Sequence, residues 1–119
     1  MPATVSTIVF DCADPAALAE FYRAATGWKV TYSDADTVQL GDGGRIQLGF
    51  QRVPDYQPAA WPGAGKQAHL DLQVSDLAAT TEQLRALGAT EPEFQPGGGD
   101  WTVLADPAGH VFCLVPDQQ

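Results

Sequence analysis

Two stretches of this chain alternate apolar and polar residues with a period of two, and a helical stripe follows each. Thr7-Ile-Val-Phe-Asp-Cys12 puts Ile8, Phe10 and Cys12 on one face and Thr7, Val9 and Asp11 on the other, which predicts a half-buried strand. Asp14 then suits a helix N-cap and Pro15 the first helical position. Leu18, Phe21, Tyr22 and Ala25 recur at helical spacing, and Gly27 ends the run. Later, Leu70, Leu72 and Val74 face one way while His69, Asp71 and Gln73 face the other. Ser75 or Asp76 caps a second helix, with Leu77, Thr80 or Thr81, Leu84 and Leu87 as its stripe and Gly88 as its end. Three more strands are expected after each helix, roughly at 28–33, 36–41 and 45–52 and then at 91–95, 100–105 and 110–115. Asp42-Gly-Gly44, Gly97-Gly-Gly99 and Asp106-Pro-Ala-Gly109 mark turns.

The two halves are copies of one pattern. Asp14 falls on Asp76, Glu20 on Glu82 and Arg23 on Arg85, all 62 residues apart. Downstream, Val38–Asp42 matches Thr102–Asp106 at an offset of 64, and Gly44–Leu48 matches Gly109–Cys113 at 65. On that alignment Leu48 and Cys113 are equivalent. A repeat of this length predicts two βαβββ modules, about 5–52 and 67–116, joined by a Pro- and Gly-rich linker over 53–66. A module of about 55–60 residues folds only marginally alone, so one domain over 1–119 with packed halves is expected. Trp61, in the linker, either pins that crossover to the body or lids a pocket.

The non-helix faces of the two first strands carry Thr7, Val9, Asp11, His69, Asp71 and Gln73. A dry core would not accept this many polar groups unpaired, so that face is wet or lines a ligand site. Charge narrows the partners. With 15 acidic and six basic residues the net charge is −9, and no basic face for nucleic acid or an anionic membrane is visible. No apolar run is long enough to span a bilayer, and Met1–Thr7 lacks the features of a signal peptide, so a cytoplasmic location is expected. The two cysteines are then reduced. Gly97-Gly-Gly-Asp100 lacks the lysine and hydroxyl of a phosphate loop, and no Gly-x-Ser-x-Gly, Cys-x-x-Cys or His-Glu-x-x-His motif occurs.

The doubled βαβββ order resembles the vicinal oxygen chelate superfamily, which includes glyoxalase I, extradiol dioxygenases, and fosfomycin- and bleomycin-resistance proteins. The residues that carry the likeness are Phe10-Asp-Cys-Ala-Asp-Pro15, Gly27-Trp28, Pro62-Gly63 leading to Lys66, His69-Leu-Asp-Leu-Gln-Val74, and Trp101-Thr-Val-Leu-Ala-Asp-Pro-Ala-Gly-His-Val-Phe-Cys-Leu114. The small bacterial glyoxalase-like and bleomycin-resistance-type proteins are most alike. The resemblance implies an α+β fold whose two modules curl a mixed sheet into a cup, and it implies a homodimer. In metal-bearing members, ligands lie at the start of the first strand and in the last strand of each module. Those places fall on Thr7 and His69, and on Leu48 and Cys113. Leucine cannot ligate and threonine is a poor ligand for a divalent ion, so His69 and Cys113 are the two good candidates. Asp71 or Asp11 would have to complete a nonstandard site, and no cofactor is required.

The leading expectation is a small-molecule-binding protein. Val9, Leu48, Trp101, Val103 and Cys113 would wall a largely apolar or aromatic ligand, and Asp11, His69, Asp71 and Gln73 would orient it. Sequestration of a toxic metabolite is one form of this. The alternative is a lyase, isomerase or dioxygenase, either dependent on a divalent metal or using His69 as an acid–base. His69 and Asp71 lie ~7 Å apart at Cα by strand rise, a spacing that suits two residues flanking one ligand more than a direct pair. His110 reads as a turn residue, and a one-residue slip of the last strand would turn it inward. Cys12, Phe21 and Tyr22 read as core.

Overall fold

Asp14 and Asp76 start the two helices in the same way. In the computed structural model, which describes residues 5–63 and 68–117, both aspartates have extended backbone. Each Oδ1 accepts the amide three residues on, from Ala17 at 3.2 Å and from Ala79 at 3.0 Å. This satisfies one of the orphan donors at each helix start. The chain divides between Tyr56 and Gln57 into two units. Unit 1 holds β1 (Thr7–Cys12), α1 (Pro15–Thr26), β2 (Lys29–Ser33), β3 (Thr37–Gly41) and β4 (Gln47–Arg52). Unit 2 holds β5 (Leu70–Val74), α2 (Leu77–Ala86), β6 (Thr102–Ala105) and β7 (Val111–Pro116). Gly65 and Lys66 of the linker lie outside the described residues.

The architecture is α+β, with one mixed sheet per unit. The orders are β1-β4-β3-β2 and β5-β7-β6. In each, the first strand runs parallel to the last, and the last pairs antiparallel with the strand before it. A parallel neighbour cannot be reached by a tight turn, so the chain between must cross over. Each crossover includes the unit's helix. Among the described residues no helix is long and apolar enough to cross a membrane.

The helices cover one face of each sheet. In unit 1, Phe10, Tyr22 and Phe50 stack with ring centroids 5.4 to 5.7 Å apart, and Phe21 meets Tyr22 edge-on. Leu18, Leu40 and Cys12 are buried with them. Full burial of such side chains contributes about 1.5–3 kcal/mol each. In unit 2, Leu104, Phe112 and Leu114 are buried, as is Leu84 of α2, which packs on β6 and β7. The buried Thr81 hydroxyl donates to the Leu77 carbonyl at 2.8 Å, so it carries no unmet polar cost. Leu87 departs from the expected stripe: α2 ends at Ala86, and the Leu87 side chain is exposed.

The strand expected at 91–95 does not form. A single bridge, Thr90 to Ala105, stands in its place. Pro92 and Pro96 bracket the segment and offer no amide to a ladder. The side-chain amide of Gln95 pairs with β6 instead. Its Oε1 accepts the Val103 amide at 2.8 Å, and its Nε2 donates to the Val103 carbonyl at 2.8 Å and to the Pro92 carbonyl at 2.8 Å. Unit 1 closes the same edge with a full strand, β2.

Candidate active site

The register of the last strands decides which side chains share the helix-free faces. In unit 1 a Cβ built at Gly49 would lie 3.1 Å from Thr7 Cγ2, 3.4 Å from Val9 Cγ2 and 3.8 Å from Gln39 Cγ. Thr7, Val9, Gln39 and Gly49 therefore share one face, and a side chain at position 49 would press on the Thr7 methyl. Asp11, exposed, continues that face opposite Gln51. Leu48 does not belong to it. Successive strand residues alternate, so Leu48 points with Phe50 to the helix side, where it is buried.

That corrects both the repeat alignment and the expected role of Leu48 as a wall residue. Asp42 Oδ1 accepts the Gly44 amide at 2.8 Å, and Asp106 Oδ1 accepts the Ala108 amide at 2.9 Å. These are the same aspartate turn, and they make Gly44 the counterpart of Ala108, not of Gly109. Five residues separate the strands in both hairpins, 42–46 and 106–110, so the offset stays at 64. The counterpart of Cys113 is Gly49.

In unit 2 the same face is loaded. Asp71 and Cys113 are direct partners across the parallel β5–β7 pair, and Val103 is the partner of Cys113 across β6–β7. His69 enters just before β5, and its Nε2 stands 3.3 Å from Asp71 Oδ1. The strand spacing favours two residues flanking one ligand over a direct pair, and the side chains do reach each other. A ligating atom from each of His69, Asp71 and Cys113 lies within 4.8 Å of the others. Val103 is fully buried beside Cys113, whereas His69 and Asp71 are exposed. One end of the cluster is thus apolar and sheltered and the other is wet.

The remaining candidates surround this cluster or lie away from it. Gln73 is exposed two residues beyond Asp71, opposite Val115. Trp101 is half-buried just ahead of β6, and its ring fills the space where Gly97 has no side chain: a Cβ there would sit 2.4 Å from a ring carbon. Val9 and Asp11 belong to unit 1 and its own face. Trp61 donates through Nε1 to the Phe94 carbonyl at 3.2 Å and packs on the Phe94 ring, so it pins the crossover. His110 braces a turn: its Nδ1 stands 3.1 Å from a buried Asp106 oxygen, and its amide donates to the same carboxylate. Sequence reasoning missed Gly49, Gln39 and Gln95. The pair of aspartate turns was the signal that would have found the first.

The cluster also answers to the metal that the family resemblance implies. Nitrogen, carboxylate oxygen and thiolate sulfur are all divalent-ion donors, and three of them with an open side is a set used where substrate must also bind. In unit 1 the equivalent places, Thr7, Val9 and Gly49, supply no such donor.

The comparisons agree with this architecture. The family model of a glyoxalase-like domain matches residues 7–115. A glyoxalase/bleomycin resistance protein/dioxygenase family enzyme from Burkholderia phytofirmans superposes with a TM-score of 0.74 at 18% identity, over 96% of this chain and 98% of that one. A fosfomycin resistance protein from Listeria monocytogenes gives 0.73 at 18% identity, over 99% and 94%. Lactoylglutathione lyase from Agrobacterium tumefaciens gives 0.64 at 20% identity, over 97% and 94%. Among curated proteins none matches the sequence. With a match across nearly its whole length and a doubled fold of this kind, the chain belongs to the glyoxalase-like family of the vicinal oxygen chelate superfamily.

Proposed function

We propose that this protein binds a small organic molecule against the helix-free face of β5, β7 and β6. His69 and Asp71 are the polar anchors, with Gln73 beside them. The half-buried Trp101 supplies aromatic surface, and the buried Cys113 and Val103 form the apolar layer behind the site. The convergence of His69, Asp71 and Cys113 carries this reading. An ordinary solvated face would scatter such groups, whereas binding sites gather a few polar groups against an apolar wall. The names of the fosfomycin resistance and lactoylglutathione lyase neighbours concern small molecules, which supports the same ligand class.

A second reading has its own observation. Asp71 Oδ1 lies 3.3 Å from His69 Nε2, the neighbourhood from which a carboxylate can orient an imidazole acting as a general base. On that reading the protein turns its ligand over.

Native mass spectrometry of the tag-free protein, prepared in chelator, reads a retained organic molecule and the expected homodimer together. Ligand binding is then compared between wild type, His69→Ala and Asp71→Asn. Both variants are expected to bind at least about tenfold more weakly, as loss of a buried or charged hydrogen bond predicts. Ligands held equally well by wild type and both variants would sink the proposal. Turnover abolished in His69→Ala, with binding only weakened, would select the enzyme reading.

A further inference from the structure

The geometry points to a divalent-cation site of the zinc class held by His69 Nε2, a carboxylate oxygen of Asp71 and Cys113 Sγ, wholly within unit 2. The family pattern draws its ligands from both modules and from histidine and carboxylate. This site instead draws on one module, uses a thiolate, and adds a residue from within the first strand. Its role rests on the ligand face proposed above, but its existence does not.

Three observations combine. First, the backbone places the donors: Asp71 and Cys113 are register partners, and His69 precedes Asp71 by one strand repeat, so all three point to one side. Second, the spacing is close to that of a bound ion. Bond lengths of about 2.0–2.3 Å in a tetrahedron put donor atoms roughly 3.3–3.8 Å apart. His69 and Asp71 already stand at 3.3 Å. The sulfur, within 4.8 Å of both, needs to approach by about one ångström, within reach of a side-chain rotation. Third, the surroundings are graded. Cys113 is buried beside Val103, while the His69 and Asp71 side chains are 37% and 58% exposed. The exposed side leaves the fourth position to water or to a ligand.

The donor set also selects the ion. A thiolate with an imidazole favours zinc and its soft neighbours, whereas magnesium and calcium prefer oxygen alone. Binding replaces the Cys113 thiol proton, which leaves to solvent, so the sulfur–metal bond forms as the sulfur–hydrogen bond breaks with no redox change. Uptake therefore releases a proton and strengthens as pH rises.

The test uses the full chain, stripped with chelator and then titrated with zinc alone by calorimetry. Cobalt substitution reads the coordination sphere directly. We expect one ion per chain, a thiolate-to-cobalt charge-transfer band, and the visible bands of a four-coordinate ion. Cys113→Ser should lose the charge-transfer band and bind zinc on the order of a hundredfold more weakly. Asp71→Asn should bind at least about tenfold more weakly and keep the band. Asp71 is exposed, so that variant should keep the wild-type circular dichroism and report even if Cys113→Ser misfolds. Asp11→Asn, in unit 1, should bind as wild type. No stoichiometric zinc uptake, uptake without a thiolate band, or wild-type affinity in Asp71→Asn would each overturn the site. Small-molecule binding measured in chelator is untouched by any of these results, so the two proposals fail separately.

Discussion

The helix-free faces of the two units use one scaffold for opposite chemistry. Where unit 2 presents His69, Asp71 and Cys113, unit 1 presents Thr7, Val9 and Gly49 at the matching places. Three strands of each unit, β1, β3 and β4 against β5, β6 and β7, share their pairing, and both aspartate turns recur. On those strands the side chains differ: one copy has nitrogen, oxygen and sulfur, and the other a hydroxyl, a methyl surface and bare backbone. Duplication supplied the positions twice, but the reactive groups are concentrated in one copy. The edges differ as well. Unit 1 closes beyond β3 with a strand, whereas unit 2 closes beyond β6 with one bridge and one side chain.

The largest expected effects test the shared scaffold. Leu48 and Phe112 are matching helix-side residues, each buried. Leu48→Ala should destabilise by about 2–5 kcal/mol and Phe112→Ala by about 3–5 kcal/mol in urea unfolding. A cost below about 1 kcal/mol for Leu48→Ala would mean that it faces outward, as on an exposed surface, and would undo the register on which the comparison stands.

The difference between the faces can be moved by mutation. Replacing Thr7 with His, Val9 with Asp and Gly49 with Cys gives unit 1 the donor set of unit 2. Calorimetry should then count a second zinc per chain. The triple variant also removes the Thr7 and Val9 methyls that crowd position 49. A folded triple variant that still takes up a single ion would show that side-chain identity alone does not account for the contrast.

A smaller effect is expected at the edge. Gln95→Ala leaves the Val103 amide and carbonyl without their side-chain partner, at a cost of about 1–3 kcal/mol. Hydrogen exchange should speed at the Val103 amide in particular. Unchanged protection there would show that the edge does not depend on Gln95.

The smallest effect lies on the β2 hairpin, for which unit 2 has no equivalent strand. Tyr32 donates its hydroxyl to Asp34 at 2.5 Å. That bond, together with the Asp36 amide, holds the Asp34 carboxyl below its ordinary range, and Asp34 in turn raises the Tyr32 hydroxyl. The lowered carboxyl gives stability that is present above its unfolded pKa and lost as pH falls through the folded one. The raised phenol gives stability that is present below its unfolded pKa and lost as pH rises through the folded one. Tyr32→Phe should therefore lower the urea midpoint slightly at neutral pH, with the difference fading in acid and in strong alkali. Both groups are exposed, so the change is small. A difference that stayed constant from acid to alkali would rule out this hydrogen bond as its source.

Much of this was legible from period and punctuation. Alternation placed His69, Asp71 and Gln73 opposite Leu70, Leu72 and Val74, and the Asp-led helix starts were readable because an N-cap is a local device. The register of β4 was not. Hairpin glycines look alike in sequence, and aligning Gly44 with Gly109 moved the comparison by one residue, which turns every side chain to the other face. The missing strand near Gln95 was hidden for a different reason. Its hydrogen bonds are made by a side chain, and strand patterns register only backbone pairing.

Gln95 has one more consequence, which concerns the ageing of the molecule. Its Nε2 is shared between the Pro92 and Val103 carbonyls. Hydrolysis of this one amide to a carboxylate would turn the donor into a third acceptor, aimed at two others. A slow covalent change, with no cleavage of the chain and almost no change of mass, would thus unlatch the border of one sheet and leave the other intact. The border of unit 2 therefore hangs on one hydrolysable side chain, where unit 1 has the backbone pairing of a strand.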